Sequence, residues 1–295
     1  MPTIKANSID IEFDTFGREQ DRPLLLVMGL GAQMTAWDED FCGQLAETGH
    51  FVIRYDNRDV GLSTKFHDHG AANMEKLVMD LMAGNTPDVA YTLEDMAADG
   101  MALLDNLDID AAHVCGASLG GMIVQTMAIN HPGRVLSMTS IMSTTGNPDL
   151  PSATEEAMAA LTSERVDDPE LAMKRAIEVN KVIGSPGFPR DEERLARKGL
   201  EAYRRSYYPD GVSRQMAAVI DNGDRRPGLR KLATPTLVIH GTDDPLVPVT
   251  GGIDTHENIP GAELLLIEGM GHDLPMAAWP QMVEAITGLT TRAHR

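Results

Sequence analysis

Short continuous apolar runs alternate with segments of helical periodicity along most of the chain. Such apolar runs are typical of strands in a parallel sheet that is covered by helices on both faces. The segments between them carry apolar residues every three or four positions, as amphipathic helices do. The pattern therefore predicts an α/β fold with a mostly parallel central sheet. The predicted strands are residues 4–6, 9–15, 24–27, 51–55, 111–115, 135–141, 236–240 and 264–267.

Two kinds of helical region are predicted. Single helices follow most of the strands, at residues 37–48, 74–83, 92–107, 122–130 and 279–288. From residue 143 to residue 229, helical periodicity instead continues through four segments, 154–161, 169–183, 191–207 and 212–222, and no β-rich run interrupts it. We predict an all-helical cap inserted between two strands at residues 143–229. Residues 1–142 and 230–295 then form the α/β core.

A sharp turn is predicted between the strand at 111–115 and the helix at 122–130. It carries Gly116, Ser118 and Gly120 in the pattern Gly-x-Ser-x-Gly. The two glycines remove the side chains that would block a tight turn, so the serine sits in a strained conformation with its Oγ exposed. The N–H of Leu119 lies at the N-terminus of the following helix, where a developing negative charge is stabilised. The pattern predicts a nucleophilic serine with one oxyanion donor beside it.

Three loops after other predicted strands carry the groups that a nucleophilic serine requires, namely a second oxyanion donor, an acid and a base. The carboxyl ends of parallel strands share one edge of a sheet, and α/β proteins bind ligands there. Gly29 and Leu30 follow the third strand, and the Leu30 N–H is predicted to be the second oxyanion donor. Asp243 and Asp244 follow one late strand, and His272 follows the next. A neutral histidine accepts the serine proton while an aspartate holds its other ring nitrogen.

Two aspartates compete for the role of the acid. Asp244 is preferred because it precedes residues 245–248, Pro-Leu-Val-Pro, which would fix its direction, and Asp243 is the alternative. In the loop after the fourth strand, Asp56 and Arg58 are predicted to brace neighbouring loops by charge-assisted hydrogen bonds.

Composition narrows the possible classes of function. The net charge is −19 and no basic patch is visible, which argues against nucleic-acid binding. No apolar stretch approaches the roughly 18 residues of a membrane span, and the first residues lack an apolar signal region. The two cysteines, Cys42 and Cys115, are too few for a disulfide framework, so we expect a cytoplasmic protein. No feature specifies an oligomeric state.

No metal or cofactor is expected. His67 and His69 form a His-x-His pair, but no cysteine or acid cluster completes a ligand set. Solvated loop histidines are the preferred interpretation.

These motifs resemble the α/β-hydrolase family over nearly the whole chain. The matching stretches are residues 24–31, 54–63, 113–121, 235–248 and 269–272. More narrowly, the chain resembles the cap-bearing serine hydrolases around aclacinomycin methylesterase. The shared motifs are Leu-Leu-Val-Met-Gly, Ile-Arg-Tyr-Asp-x-Arg-Asp-x-Gly-x-Ser and Gly-Met-Gly-His. The resemblance implies Ser118 as nucleophile, Asp244 as acid and His272 as base. It also implies an oxyanion hole at the backbone N–H groups of Leu30 and Leu119.

Two positions depart from the commonest pattern of that family. Met28 stands where many members carry histidine, which affects a supporting side-chain contact because the oxyanion hole itself is backbone. Asp59 stands where glycine is usual after Arg58, a departure shared with the aclacinomycin-like group.

The expected function is hydrolysis of a small-molecule carboxylic ester through an acyl-enzyme. The same residues suit lactone opening, C–C bond hydrolysis of a diketone and cofactor-free perhydrolysis. Dehalogenase and epoxide hydrolase chemistry is disfavoured, because those members of the family use a carboxylate nucleophile and this chain carries Ser118. A hypothesis from another class is a non-catalytic receptor that binds a small ligand under its cap.

Overall fold

The computed structural model describes residues 1–162, 166 and 168–293. The strands among these residues form one sheet of eight strands. The strand order is β1-β2-β4-β3-β5-β6-β7-β8. The β1–β2 and β2–β4 pairs are antiparallel, and all other pairs are parallel. The predicted α/β fold with a mostly parallel sheet is confirmed. The strands are Thr3–Ala6 (β1), Ile9–Phe16 (β2), Arg22–Val27 (β3), His50–Tyr55 (β4), Ala112–Ala117 (β5), Val135–Ile141 (β6), Thr236–Gly241 (β7) and Glu263–Ile267 (β8).

The central strands are apolar throughout because both faces of the sheet are covered. Side chains alternate between the two faces along a strand. Leu25 and Val27 of β3 accordingly join one buried cluster, and Leu24 and Leu26 join the other. The helices of the core are Glu39–Glu47 (α1), Met74–Met82 (α2), Leu93–Asn106 (α3), Leu119–Asn130 (α4), Val249–Glu257 (α10) and Trp279–Ala293 (α11). Of these, α1, α3, α4 and α11 add apolar side chains to the two clusters.

The observed helices differ from the predicted ones at a few ends. α1 begins after Asp38 rather than at Trp37, because the Asp38 side chain caps the helix by accepting from the Asp40 N–H. α4 begins directly at Leu119, so the turn at Ser118 is tighter than predicted. α10 was not predicted, since two adjacent glycines weaken its pattern.

Between β6 and β7, the described residues form five helices and no strand. We refer to residues 143–229 as the insertion. α6 and α7, whose residues are all described, contain no fully buried residue, whereas α8 buries five. α8 is therefore the helix of the insertion that docks most deeply into the core. The helices are Glu155–Thr162 (α5), Pro169–Ile183 (α6), Glu192–Arg205 (α7), Pro209–Asn222 (α8) and Arg226–Leu229 (α9).

A search for membrane-spanning segments gave a negative result. Within the described parts of the chain, no helix combines the length and the apolar character that crossing a bilayer requires.

Candidate active site

Ser118 lies at the turn between β5 and α4. Its backbone has φ 55° and ψ −120°, a strained conformation for a residue with a side chain. The turn is closely packed: a Cβ on Gly116 would lie 2.0 Å from the Gly120 carbonyl oxygen, and a Cβ on Gly120 would lie 2.0 Å from that of Val27. The glycine spacing in the sequence thus produces the sharp turn that it predicts.

His272 and Asp244 continue a chain of hydrogen bonds from Ser118. His272 Nε2 lies 3.0 Å from Ser118 Oγ, and His272 Nδ1 lies 2.7 Å from Asp244 Oδ2. A tautomer with its proton on Nδ1 satisfies both contacts. The Asp244 side chain is fully buried, and its Oδ1 accepts from the N–H groups of Leu246 at 2.9 Å and Val247 at 2.8 Å. These bonds orient the carboxylate toward His272.

This geometry distinguishes the two candidate aspartates. Asp243 is exposed, and its Oδ2 accepts from Thr242 Oγ1 at 2.6 Å and from the Gly269 N–H at 3.0 Å. Of the pair, Asp244 is the one that contacts His272. Asp243 instead ties its own loop to the loop that carries the histidine.

His240 lies behind Asp244 and is completely buried. Its Nε2 donates to the Val247 carbonyl at 2.8 Å and lies 3.7 Å from Asp244 Oδ2. Burial lowers the pKa of His240, so the ring is neutral near pH 7. The ring therefore supports the loop that orients Asp244.

The loop after β3 passes directly beside Ser118. A Cβ on Gly29 would lie 3.1 Å from Ser118 Cβ and 3.6 Å from Ser118 Oγ. Asn57 Nδ2 donates to the Met28 carbonyl at 2.9 Å, which fixes the entry to this loop. Leu119 is the first residue of α4, where backbone N–H groups have no partner within the helix. The N–H groups of Leu30 and Leu119 thus belong to two segments that adjoin the serine.

Buried charges after β4 brace the surrounding loops. Asp56 accepts from the Met34 N–H and the Leu62 N–H, each at 2.8 Å. Arg58 donates to both carboxylate oxygens of Asp99 at 2.7 Å. The bracing predicted for Asp56 and Arg58 is confirmed.

Asp59 connects the same loop to the insertion. Its carboxylate accepts from Arg214 at 2.7 and 2.8 Å, from the Tyr91 hydroxyl at 2.7 Å and from the Phe66 N–H at 2.8 Å. Burial alone would raise the pKa of Asp59, but these hydrogen bonds have the larger effect, so the pKa is lowered from its usual value. Its φ of 67° explains why glycine suits this position.

The insertion also holds the loop that carries the histidine. The His272 N–H donates to the Ile183 carbonyl at 2.6 Å, and the Gly271 N–H donates to Ser185 Oγ at 2.9 Å. The Ser185 hydroxyl in turn donates to Asp273 Oδ1, next to His272 in the chain. The orientation of His272 therefore depends on the last residue of α6 and on a residue just after that helix.

The residues just after β6 and the His-x-His pair have structural surroundings. Met142 and Ser143 are buried, and Ser143 Oγ donates to the Ser118 carbonyl at 2.8 Å, so it supports the turn from behind. His67 Nδ1 lies 2.9 Å from the Tyr208 hydroxyl. Among the residues that the structure describes, no group of three metal-ligating side chains is present. His294 lies outside the described residues.

The fold agrees with comparisons to known proteins. The sequence profile of the alpha/beta hydrolase fold family matches residues 22–277. The chain belongs to the α/β-hydrolase family. The family assignment made from the motifs is therefore confirmed.

Among its relatives are esterases and a lactonase. The chain is 28% identical to rhodomycin D methylesterase DnrP of Streptomyces peucetius, over 99% of both chains. It is also 28% identical to 3-oxoadipate enol-lactonase 2 of Acinetobacter baylyi, over 90% of this α/β-hydrolase and 88% of that protein. A solved meta-cleavage product hydrolase from Pseudomonas fluorescens shares the fold, with a TM-score of 0.78 and 18% identity over 99% of this chain and 98% of that one.

The sequence of this hydrolase did not reveal which residues of the insertion bind loops of the core. The sequence predicts Arg214 and Gln215 as parts of a helix and Ser185 as part of a joint between helices. Each contacts a loop of the core that is distant in sequence. Gly31 and Gln215, for example, are 184 residues apart. Periodicity within a helix predicts which face is buried, but it does not identify the partner of that face.

Proposed function

We propose that this chain is a serine hydrolase that cleaves carboxylic esters of small molecules. The observation that carries the proposal is the chain of hydrogen bonds from Ser118 Oγ through His272 to the buried Asp244. Its position at the carboxyl edge of the sheet is where this architecture binds ligands. The backbone N–H groups of Leu30 and Leu119 are the proposed oxyanion donors.

In the proposed reaction, Ser118 Oγ attacks the ester carbonyl as His272 Nε2 accepts its proton. Asp244 stabilises the imidazolium that forms. The imidazolium then protonates the leaving alcohol, and an acyl-enzyme remains. The same ring activates a water molecule that releases the acid. These steps use side chains already in contact and need only water in addition.

The negative charge of the tetrahedral intermediate falls on the former carbonyl oxygen. Two N–H donors that are already held in place stabilise this charge without reorganisation. Each is worth roughly 3 kcal/mol of barrier in enzymes of this kind.

Full-length similarity to a rhodomycin D methylesterase supports an ester substrate and makes methyl esters the first class to test. Turnover is measured on p-nitrophenyl esters of increasing acyl length and on methyl esters, with and without a chelator. The wild type is expected to be active with the chelator, and Ser118→Ala is expected to be inactive. Equal turnover by the two proteins would overturn the proposal.

Asp244→Asn and Asp243→Asn form a matched pair for the acid. An asparagine at 244 favours the wrong histidine tautomer, and such a change costs about 10⁴ in kcat where it has been made in a serine hydrolase. Asp243→Asn removes a neighbouring exposed charge but keeps an oxygen that can accept from Thr242 and from the Gly269 N–H, so it is expected to retain activity within about threefold. Loss of activity in Asp243→Asn alone would assign the acid to Asp243.

Lactone opening is the second candidate. The enol-lactonase relative favours it, because it is similar over 90% of this chain. A lactone is an internal ester, so the same attack by Ser118 opens it. Comparing kcat/KM for a lactone series with that for open-chain esters decides between the two substrate classes.

A further inference from the structure

The structure assigns Gln215 of α8 as a positioning residue for the oxyanion hole. This inference rests on the proposed function. Gln215 is completely buried and lies on the insertion. Its Oε1 accepts from the Gly31 N–H at 2.9 Å, and its Nε2 donates to the Arg58 carbonyl at 2.8 Å. One side-chain amide thus joins the loop after β3 to the loop after β4.

The contact is made one residue away from the proposed donor. Gly31 follows Leu30 directly, and its φ of 64° turns the chain beside α8. A Cβ on Gly31 would lie 2.8 Å from Val212 Cγ2, so the loop packs tightly against this helix. On its other side, Gly29 packs against Ser118. The peptide groups around Leu30 are therefore held between the serine and α8.

α8 is itself anchored at the adjacent position. Arg214 makes two hydrogen bonds to Asp59 and donates further to the Tyr208 hydroxyl and the Gly70 carbonyl. Consecutive side chains of one helix thus fix the helix and the loop. The oxyanion hole, which belongs to the core, obtains its support from the insertion.

Loss of the Gln215 contacts would free the Gly31 N–H and allow the Leu30 backbone to shift. Oxyanion donors act only in the transition state, so kcat falls while KM changes little. Removing a donor completely costs about 10²–10³ in kcat, and a displaced donor costs less, so about 10-fold to 100-fold is expected. A role in stability alone would leave kcat of the folded protein unchanged.

The test compares Gln215→Met with Gln125→Met. Gln125 is an equally buried glutamine on α4 that bonds to Ser140 and Arg225, away from the oxyanion loop. Both variants are expected to lose thermal stability, but only Gln215→Met is expected to lose kcat. The same factor should appear in the rate at which a fluorophosphonate modifies Ser118. This readout needs no knowledge of the natural substrate.

Gln215→Glu provides a second variant that preserves the shape of the side chain. In its protonated form the new carboxyl group can accept from the Gly31 N–H and donate to the Arg58 carbonyl. Its ionised form can still accept but cannot donate. Activity near that of the wild type at low pH, lost as pH rises, supports the inference. Rates of Ser118 modification within twofold of the wild-type rate in both Gln215→Met and Gln215→Glu would overturn the inference. Absence of any Ser118 modification in the wild type would instead overturn the proposed function together with this inference.

Discussion

The ion pair between Asp59 and Arg214 allows a quantitative test of how the insertion is attached. Both side chains are almost completely buried, at 0% and 2% exposure, and two hydrogen bonds of 2.7 and 2.8 Å join them. Removing one partner of a buried pair leaves an uncompensated charge, which costs about 3–5 kcal/mol. Arg214→Met is therefore expected to lower the free energy of unfolding by about 3–5 kcal/mol at pH 7.

Asp59→Gly is expected to cost less. Glycine adopts the observed φ of 67° without strain, which recovers about 1 kcal/mol. The double variant removes both charges, so its destabilisation should be well below the sum of the two single values. We expect a coupling of about 2–3 kcal/mol, measured by urea unfolding followed by tryptophan fluorescence.

Two results would refute this reasoning. Additivity of the two single changes within about 0.5 kcal/mol would mean that the pair contributes no coupling. A coupling that does not weaken as the pH falls below about 4 would also contradict it. The lowered pKa of Asp59 means that its contribution is present above about pH 4 and is lost as pH falls through the folded-state pKa.

Three further outcomes are expected. Gly29→Ala places a Cβ 3.1 Å from that of Ser118 and should lower kcat about 10-fold with little change in KM, whereas unchanged kcat would mean that the loop yields freely. Burial lowers the pKa of His50 to about 4, below about 6.5 in the unfolded chain, so about 3 kcal/mol of stability should be lost as pH falls between these values. His50→Gln should remove that pH dependence, and an unchanged slope would contradict it. Burial raises the pKa of the Cys42 and Cys115 thiols, that of Cys42 to about 12, so neither should react with a disulfide reagent until the protein is denatured.

The sheet and the turn at Ser118 were predictable because their determinants are local. Residues 24–27 are all apolar since both faces of β3 are covered, and a short sequence window contains that information. The turn is encoded by Gly116 and Gly120, whose missing side chains make room for backbone atoms 2.0 Å from an added Cβ. Loop positions after strands then follow from the shared edge of a parallel sheet.

The contacts of the insertion were not predictable for the opposite reason. Gln215 and Arg214 read as polar residues of an amphipathic helix, and such residues usually face water. Their burial depends on carbonyl and carboxylate groups in loops more than 100 residues earlier. α10 was missed because packing against β7 and β8 stabilises a helix whose own glycines disfavour it.

The uneven burial of the insertion determines which of its positions can tolerate substitution. α6 and α7 contain no fully buried residue, while α8, Ile183 at the end of α6 and Ser185 after it hold loops near the site. Substitutions at exposed positions seldom alter stability by more than about 0.5 kcal/mol. Mutations can therefore accumulate on the outer sides of α6 and α7 without harming the fold. A randomised library restricted to those positions should yield mostly folded proteins, provided that the hydrogen-bonded residues of α8 stay constant.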